Sequence, residues 1–270
     1  MTRFEDVLDI LSQSDARICA RDLVKQIKTQ RGVSSRSAKK ILQTLIDSQE
    51  LCYHYLYGTT YIEKSFLRPV RISDHFILTP PEFFNPESDS DDIQIVLQQG
   101  ISFGSGQHST TRLCLQAIDL CFFQSPDLQL DKADSGVDIG TGSGVLAFAM
   151  CLAGLCKCQA HEIDPISINE AKKNITHNRL ETQIHLLPTP FAEDKNKFSI
   201  ICANLRWPTL KSLCDPVFNS LTDNGVAVLS GVRSWEKNDL IALYSRKGFH
   251  LQWQKDEKNW SAFVLIKKPC

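Results

Sequence analysis

The sequence predicts an α/β protein in which a parallel, doubly wound sheet fills the last two-thirds of the chain, behind a small helical module. Three observations predict it. From Thr110 onward, short β-rich runs alternate with amphipathic helical stretches, the pattern of repeated βαβ units. A glycine cluster, Gly140, Gly142 and Gly144, falls between the first such strand and its helix, where folds of this kind bind ligands. The chain then closes on two β-rich runs with no helix between them, which makes them an antiparallel pair at the sheet edge.

Taken in order, residues 1–66 predict three helices and a hairpin. Phe4, Val7, Leu8 and Leu11 recur at helical spacing, as do Ala20, Leu23, Val24 and Ile27. Ser34 is placed to cap a third helix carrying Ala38, Ile41, Leu42 and Leu45. Leu51–Tyr55 and Thr59–Ile62 flank a turn at Tyr57-Gly58. Three helices followed by a β wing is a winged-helix-like layout. Residues 67–109 predict a linker ending in a substrate and cofactor loop, broken by Pro69, Pro80, Pro81 and Pro86 and by the acidic run Ser88-Asp-Ser-Asp-Asp. Residues 110–270 form the sheet domain. Its strands are predicted at Val137–Ile139, Cys158–Ile163, Ile184–Leu187, Phe198–Ala203, Val226–Leu229, Phe249–Trp253 and Ser261–Ile266. Helices are predicted at Val145–Ala153, Pro165–Asn178, before Leu221 and over Glu236–Lys247.

The 270 residues accommodate one full α/β domain and a smaller companion. A net charge of −1 excludes global steering toward nucleic acid or an acidic membrane, so any electrostatic targeting is local. No apolar run approaches the roughly 20 residues that span a bilayer. The start turns acidic at once, without a signal-peptide apolar region, so the expected location is cytoplasmic with no membrane partner. The ten cysteines form no C-x-x-C pair. Cys114, Cys121, Cys151, Cys202 and Cys214 sit in apolar stretches, and Cys156 and Cys158 lack companion ligands. Buried, reduced thiols are expected, and no metal site.

The strongest chemical signal is Asp138-Ile-Gly-Thr-Gly-Ser-Gly-Val145. Glycines at this turn let the backbone bend sharply and approach a ligand closely. A dinucleotide loop needs G-x-G-x-x-G, whereas Val145 stands at the third glycine's place. A pyrophosphate also prefers a helix N-terminus without a carboxylate beside it. Asp138 therefore favours a zwitterionic sulfonium, S-adenosylmethionine, over a nicotinamide or flavin cofactor.

At the end of the next strand, Glu162 is positioned to accept from a ribose diol, while Asp164 before Pro165 fits a helix cap. At the end of the fourth strand lies Asn204-Leu-Arg-Trp207-Pro. Asn204 there accepts from an incoming amine, or serves only as a turn residue. Trp207 offers a face to a cationic or flat substrate, or only packs the core. In the loop Ile101-Ser-Phe-Gly-Ser-Gly-Gln-His108-Ser-Thr-Thr111, Thr110 or Thr111 caps the following helix or bonds the ligand. His108 reads as structural rather than catalytic.

Together FGSGQHSTTRLCL, VDIGTGSGVLAFA, EIDP, ANLRWPTL, the LSGV strand and the final KNWSAFVLIKK resemble the PrmA-type methyltransferases, over about residues 67–268. These enzymes modify the ribosomal protein L-eleven on lysine and N-terminal amines. The resemblance implies a Rossmann-like, seven-stranded class I methyltransferase fold. It implies donor contacts at Thr111, Gly140, Glu162 and Asn204, beside Asp138, Gly142 and Gly144 from the glycine loop. The catalytic candidates, Asn204 and Trp207, are read from their place after the fourth strand rather than from the resemblance. Glu162 stands where the family usually has Asp, and Arg206-Trp207 stands where it has small residues. The family's α+β substrate-recognition domain has no counterpart in residues 1–66.

The expected reaction is methyl transfer from S-adenosylmethionine to a neutral protein amine, with a ribosomal protein among the candidate substrates. The alternatives are a nucleic-acid or small-molecule methyltransferase on the same fold, and a non-enzymatic winged-helix regulator that senses the donor. Arg36, Lys39 and Lys40, near the start of the third helix, open a nucleic-acid role for residues 1–66, although that segment is only mildly basic.

Overall fold

The computed structural model describes residues 4–14, 17–56, 58–86, 91–98, 106, 108–125, 128, 130, 134–193 and 196–269. Tyr57 of the expected turn, Ser88–Ser90 of the acidic run and, Gly106 apart, Ile101–Gln107 of the glycine-rich loop lie outside them. The chain divides into two compact units, residues 1–68 and 69–270.

In the first unit, α1 (Glu5–Gln13), β1 (Ile18–Cys19), α2 (Ala20–Arg31) and α3 (Ser35–Asp47) precede β2 (Leu51–Leu56) and β3 (Thr59–Lys64). The apolar faces read from helical spacing supply its core, with Val7, Leu23, Ile27, Leu42 and Leu45 buried against Ile62. Ser34 caps α3 by accepting from the Ser37 N–H at 3.1 Å. Gly32 ends α2 in the left-handed conformation, φ +62°, where its N–H bonds the Lys28 carbonyl. The short β1 was not expected. It pairs antiparallel with β3 and gives the sheet order β1-β3-β2. Two residues carry no periodicity of their own, so only the partner strand defines it.

The second unit opens with β4 (Val70–Arg71), β5 (Phe76–Thr79) and β6 (Ile93–Val96), a small three-stranded sheet. This corrects the reading of 67–109 as a linker. The prolines stand between strands: Pro80 and Pro81 lead into a 3-10 turn at Pro81–Phe83. Each four-residue apolar run is too short to declare itself without its ladder. The segment is clipped to the next helix, α4 (Ser109–Asp119). The Asp119 carboxylate, fully buried, accepts from the Ser73 hydroxyl, the His75 N–H (3.0 Å), the His75 ring (3.0 Å) and the Gln124 amide (2.9 Å).

Then come β7 (Ser135–Ile139), α5 (Val145–Leu152), β8 (Lys157–His161), α6 (Pro165–Asn178), β9 (Ile184–Leu187), β10 (Phe198–Asn204), α7 (Trp207–Ser220), β11 (Leu221–Arg233), α8 (Lys237–Lys247), β12 (Phe249–Glu257) and β13 (Trp260–Lys267). They build a seven-stranded sheet in the order β12-β13-β11-β10-β7-β8-β9. Pairs among β7 to β11 are parallel, while β13 runs antiparallel to both β11 and β12. The closing pair thus lies at the sheet edge as expected, with β13 inserted between β11 and β12. Strand order reverses between β7 and β10, which makes the crevice above their carboxyl ends the ligand site of such a sheet. The core runs from Val137 and Ile201 through Leu229 to Phe263, with Leu210 of α7 and Tyr244 of α8 covering one face. The Tyr244 hydroxyl donates to the Leu210 carbonyl at 2.8 Å and pins α8 to α7.

The nine described cysteines are free thiols, and the five named above are all buried. Burial pushes the Cys214 thiol up to about 11, far from thiolate chemistry. Cys156 is exposed and Cys158 buried, so the C-x-C pair is split between solvent and core. No helix among the described residues is long and apolar enough to cross a membrane.

Candidate active site

The turn from β7 to α5 requires its glycines. Gly140, Gly142 and Gly144 have φ of +70°, +57° and +93°, a region L side chains rarely adopt. A Cβ at Gly144 would lie 2.2 Å from Phe148 Cζ, and one at Gly140 would lie 2.7 Å from Leu205 Cδ2. Four of the loop's N–H donors are already used. Gly140 and Thr141 N–H groups donate to the His161 carbonyl at 2.9 Å, Gly142 N–H to Glu162 Oε2 at 2.9 Å, and Gly144 N–H to the Thr141 carbonyl at 2.9 Å. A phosphate-binding loop keeps such groups for its ligand. This loop offers shape and nearby acceptors instead.

Two carboxylates flank it. Glu162, just past β8, holds Gly142 with one oxygen and receives the Ile163 and Asp164 N–H groups on the other, at 2.8 and 3.0 Å. Asp138, in β7, is buried. Its Oδ2 accepts from the Thr141 hydroxyl at 2.6 Å and the Ala147 N–H at 3.2 Å, while its Oδ1 has no donor. Burial, opposed by those two bonds and reinforced by the Glu162 charge, pushes the Asp138 carboxyl up to about 7.

Asn204 ends β10. Cys202 and Ala203 lie opposite Asp138 and Ile139 of β7, so Asn204 emerges beside the glycine turn. Its Oδ1 is buried without a donor, as is the Oγ1 of Thr111 in the first turn of α4. Thr111 lies in the first turn of α4, a helix that packs against β10, the strand Asn204 ends, and against β11. The structure therefore brings Thr111, Asp138, Gly140, Gly142, Gly144, Glu162 and Asn204 to one end of the sheet. Trp207 begins α7 and packs partly buried against the main core, the packing alternative recognised in the sequence.

The capping assignments divide. Asp164 caps α6, accepting from the Ser167 N–H (2.9 Å) and hydroxyl (2.8 Å), which hold its carboxyl below the usual range. For α4 the cap is His108, whose Nδ1 accepts from the Thr110 N–H at 3.3 Å. The expectation that Thr110 or Thr111 caps this helix is corrected, because both lie inside the helix and are buried.

Three further positions were missed. Asn174 of α6, buried, donates to the Ser143 carbonyl at 3.1 Å and accepts from the Gln98 N–H at 3.0 Å, so it ties the glycine turn to the segment after β6. An asparagine inside a helix gives no sequence signal for this. Gly231, φ +93°, lets β11 bulge beneath the Leu205 backbone, where a Cβ would lie 2.3 Å from the Leu205 carbonyl oxygen. Ile163 is 69% exposed beside Glu162, an apolar surface on the same edge. The run EIDP held that signal, since a large apolar residue there has no strand neighbour to cover it.

The sheet order, the glycine turn and the carboxylate one strand over define a class I methyltransferase fold, a class that uses S-adenosylmethionine. The chain belongs to the PrmA family: the model of "Ribosomal protein L11 methyltransferase (PrmA)" matches residues 58–268. A ribosomal protein L11 methyltransferase of Staphylococcus epidermidis is 31% identical over 203 residues, 74% of this chain and 62% of that protein. One of Anoxybacillus flavithermus is 29% identical over 207 residues, 76% of this chain and 64% of that protein. The chain thus matches somewhat under two-thirds of the length of these relatives. A crystal structure of a ribosomal protein L11 methylase from Lactobacillus delbrueckii subsp. bulgaricus shares the fold with a TM-score of 0.64 at 24% identity, covering 75% of this chain and all of that one.

Proposed function

We propose that this protein is an S-adenosylmethionine-dependent methyltransferase acting on a protein amine, in the manner its relatives' names describe for a ribosomal protein. One observation carries the reading. Thr111 Oγ1, Asp138 Oδ1 and Asn204 Oδ1 are buried oxygens without a partner among the described residues, at the end of the sheet that carries a turn with four of its own N–H groups consumed. Leaving a buried polar atom unpaired costs about 1–3 kcal/mol, so such a cluster favours a ligand that completes it. The fitting ligand brings an ammonium, hydroxyls and an amine, not phosphates.

When bound, S-adenosylmethionine supplies a methyl group already activated on a sulfonium. Asp138 is assigned to its amino group and Glu162 to its ribose. The glycine turn admits the backbone-close methionine portion, and Ile163 faces the base. Asn204 accepts a hydrogen bond from the incoming amine and aims its lone pair, so positioning accounts for much of the rate. Trp207 opens α7 three residues after Asn204 and packs partly buried against the core.

The pH dependence follows from Asp138. Its folded pKa, about 7, lies above the ordinary 3.8. Between those values the folded protein keeps a proton that the unfolded chain releases, so its share of stability falls as pH rises from about 4 to 7. An ammonium ligand prefers the ionised form. Calorimetry should therefore show donor affinity rising up to about 10-fold per pH unit between 5.5 and 7, then levelling. Asp138→Asn should flatten this dependence.

The functional test is transfer from tritiated donor into host lysate. Label in proteinase-sensitive material is the expected result. Label in nuclease-sensitive material supports a nucleic-acid acceptor, and donor binding without turnover supports a regulator; either one overturns the proposal. Asn204→Ala should keep donor affinity within about 2-fold and lower kcat about 10-fold, the value of one oriented hydrogen bond. The front unit, most of which lies outside the matched residues, we read as a winged-helix-like docking module for a protein partner.

A further inference from the structure

The carboxyl end of β11, beside the start of β13, carries a cation without a salt bridge among the described residues. Arg233, the last residue of β11, lies flat on Trp260 of β13, with its guanidinium carbon 3.7 Å from the ring centre, and 5.6 Å from the ring of Trp235. The carboxylates around it are committed elsewhere. Asp256 pairs with Lys237 at 2.8 Å and Glu257 with Arg112, while Glu236, which accepts the Arg233 backbone N–H at 2.7 Å, makes no salt bridge to the Arg233 guanidinium among the described residues. Arg206, two residues after Asn204, is exposed where Arg233 is half-buried, and it too has no salt bridge among the described residues. The two arginines share one edge, because the Leu205 N–H donates to the Ser230 carbonyl at 3.0 Å and Leu205 lies over Gly231. Trp235 stands beyond them, 71% exposed. His108, the cap of the helix carrying Thr111, meets Trp260 edge-on at 4.9 Å, so this rim is continuous with the site.

We infer that this rim, Arg233 and Trp235 with Arg206, receives the acceptor polypeptide and selects a segment with a carboxylate side chain beside the amine to be methylated. The inference rests on the methyltransferase reading above. Stacking uses the faces of the Arg233 guanidinium and leaves its N–H edge free for two parallel bonds to a carboxylate. A positive rim repels a lone lysine ammonium, and a neighbouring Asp or Glu on the acceptor reverses that repulsion. Two guanidiniums are too few for the run of phosphate contacts that nucleic-acid affinity demands, which favours a polypeptide. The exposed indole supplies a rigid, large contact at low entropy cost, as interface tryptophans do.

The test uses the full chain loaded with S-adenosylhomocysteine and fluorescein-labelled peptides holding one lysine between two aspartates or between two asparagines. Anisotropy should show the aspartate peptide binding about 10-fold tighter, the scale of one bidentate charge pair. Arg233→Gln should remove that preference, and Arg233→Lys should keep part of it, which loss of stacking alone does not predict. Trp235→Ala should weaken both peptides about 5-fold. Equal binding of the two peptides, no binding of either, or a preference untouched by Arg233→Gln overturns the inference, as does tighter binding of a single-stranded oligonucleotide than of the aspartate peptide. Donor calorimetry on the same preparation separates the two ideas. Absent donor binding defeats the methyltransferase reading, whereas intact donor binding with no peptide preference defeats only the rim.

Discussion

Glu162→Ala is expected to weaken S-adenosylmethionine binding by at least about 100-fold, measured by titration calorimetry at pH 7. Two effects add. The first is the loss of a carboxylate that would accept from two ribose hydroxyls, where hydrogen bonds to a charged group are worth about 1.5–3 kcal/mol each. The second is local. Glu162 Oε2 is the acceptor for the Gly142 N–H, and Oε1 gathers the Ile163 and Asp164 N–H groups, so its removal frees the glycine turn that shapes the donor site. Glu162→Asp keeps the charge on a shorter stem and should recover most of the affinity. Glu162→Gln keeps the shape and loses the charge, so it should fall between. If Glu162→Ala binds the donor as the wild type does, the ribose assignment is wrong.

The largest expected loss of stability falls on Asp119, far along α4 from the site. Asp119→Ala leaves the Ser73 hydroxyl, the His75 N–H and ring, and the Gln124 amide without their shared acceptor. Breaking a buried charged network by removing one partner costs about 3–5 kcal/mol, or roughly 10 °C in Tm for a domain of this size. Burial works to raise the Asp119 carboxyl, but the bonds from Ser73 and His75 outweigh it and hold it below the ordinary 3.8. A depressed value means the stabilisation is complete above the ordinary carboxylate pKa and is lost as pH falls through the lower folded one. Thermal melts of wild type and Asp119→Ala should therefore differ most near neutral pH and converge in strong acid. Parallel curves at every pH would show that the aspartate's charge contributes nothing there.

Period and punctuation carried most of the second unit. The helix over Pro165–Asn178 was legible because Asp164 caps it and Pro165 opens it, both local effects within four residues. The glycine turn was legible for the same reason: alternating glycines before an apolar helix are a local solution to positive φ. Asp138, Glu162 and Asn204 could be named because each stands at or next to the end of a strand, and the strand order of such a sheet places those ends together, whereas Thr111 was singled out only by the family resemblance of its loop.

What the sequence by itself determined, then, is the alternation of elements, their caps, and the glycine turn with its carboxylates, since these depend on neighbours a few residues apart. Only the tertiary structure decided the sheet of residues 70–96, the buried anchor at Asp119, the bridge made by Asn174 and the stacking of Arg233 on Trp260. Each is a relation between residues too far apart in the chain for a local signal. Ser73 and Asp119 bond across 46 positions and Asn174 and Gln98 across 76. A short strand or a buried acceptor has no local preference strong enough to announce it, because its energy comes from the partner that folding brings.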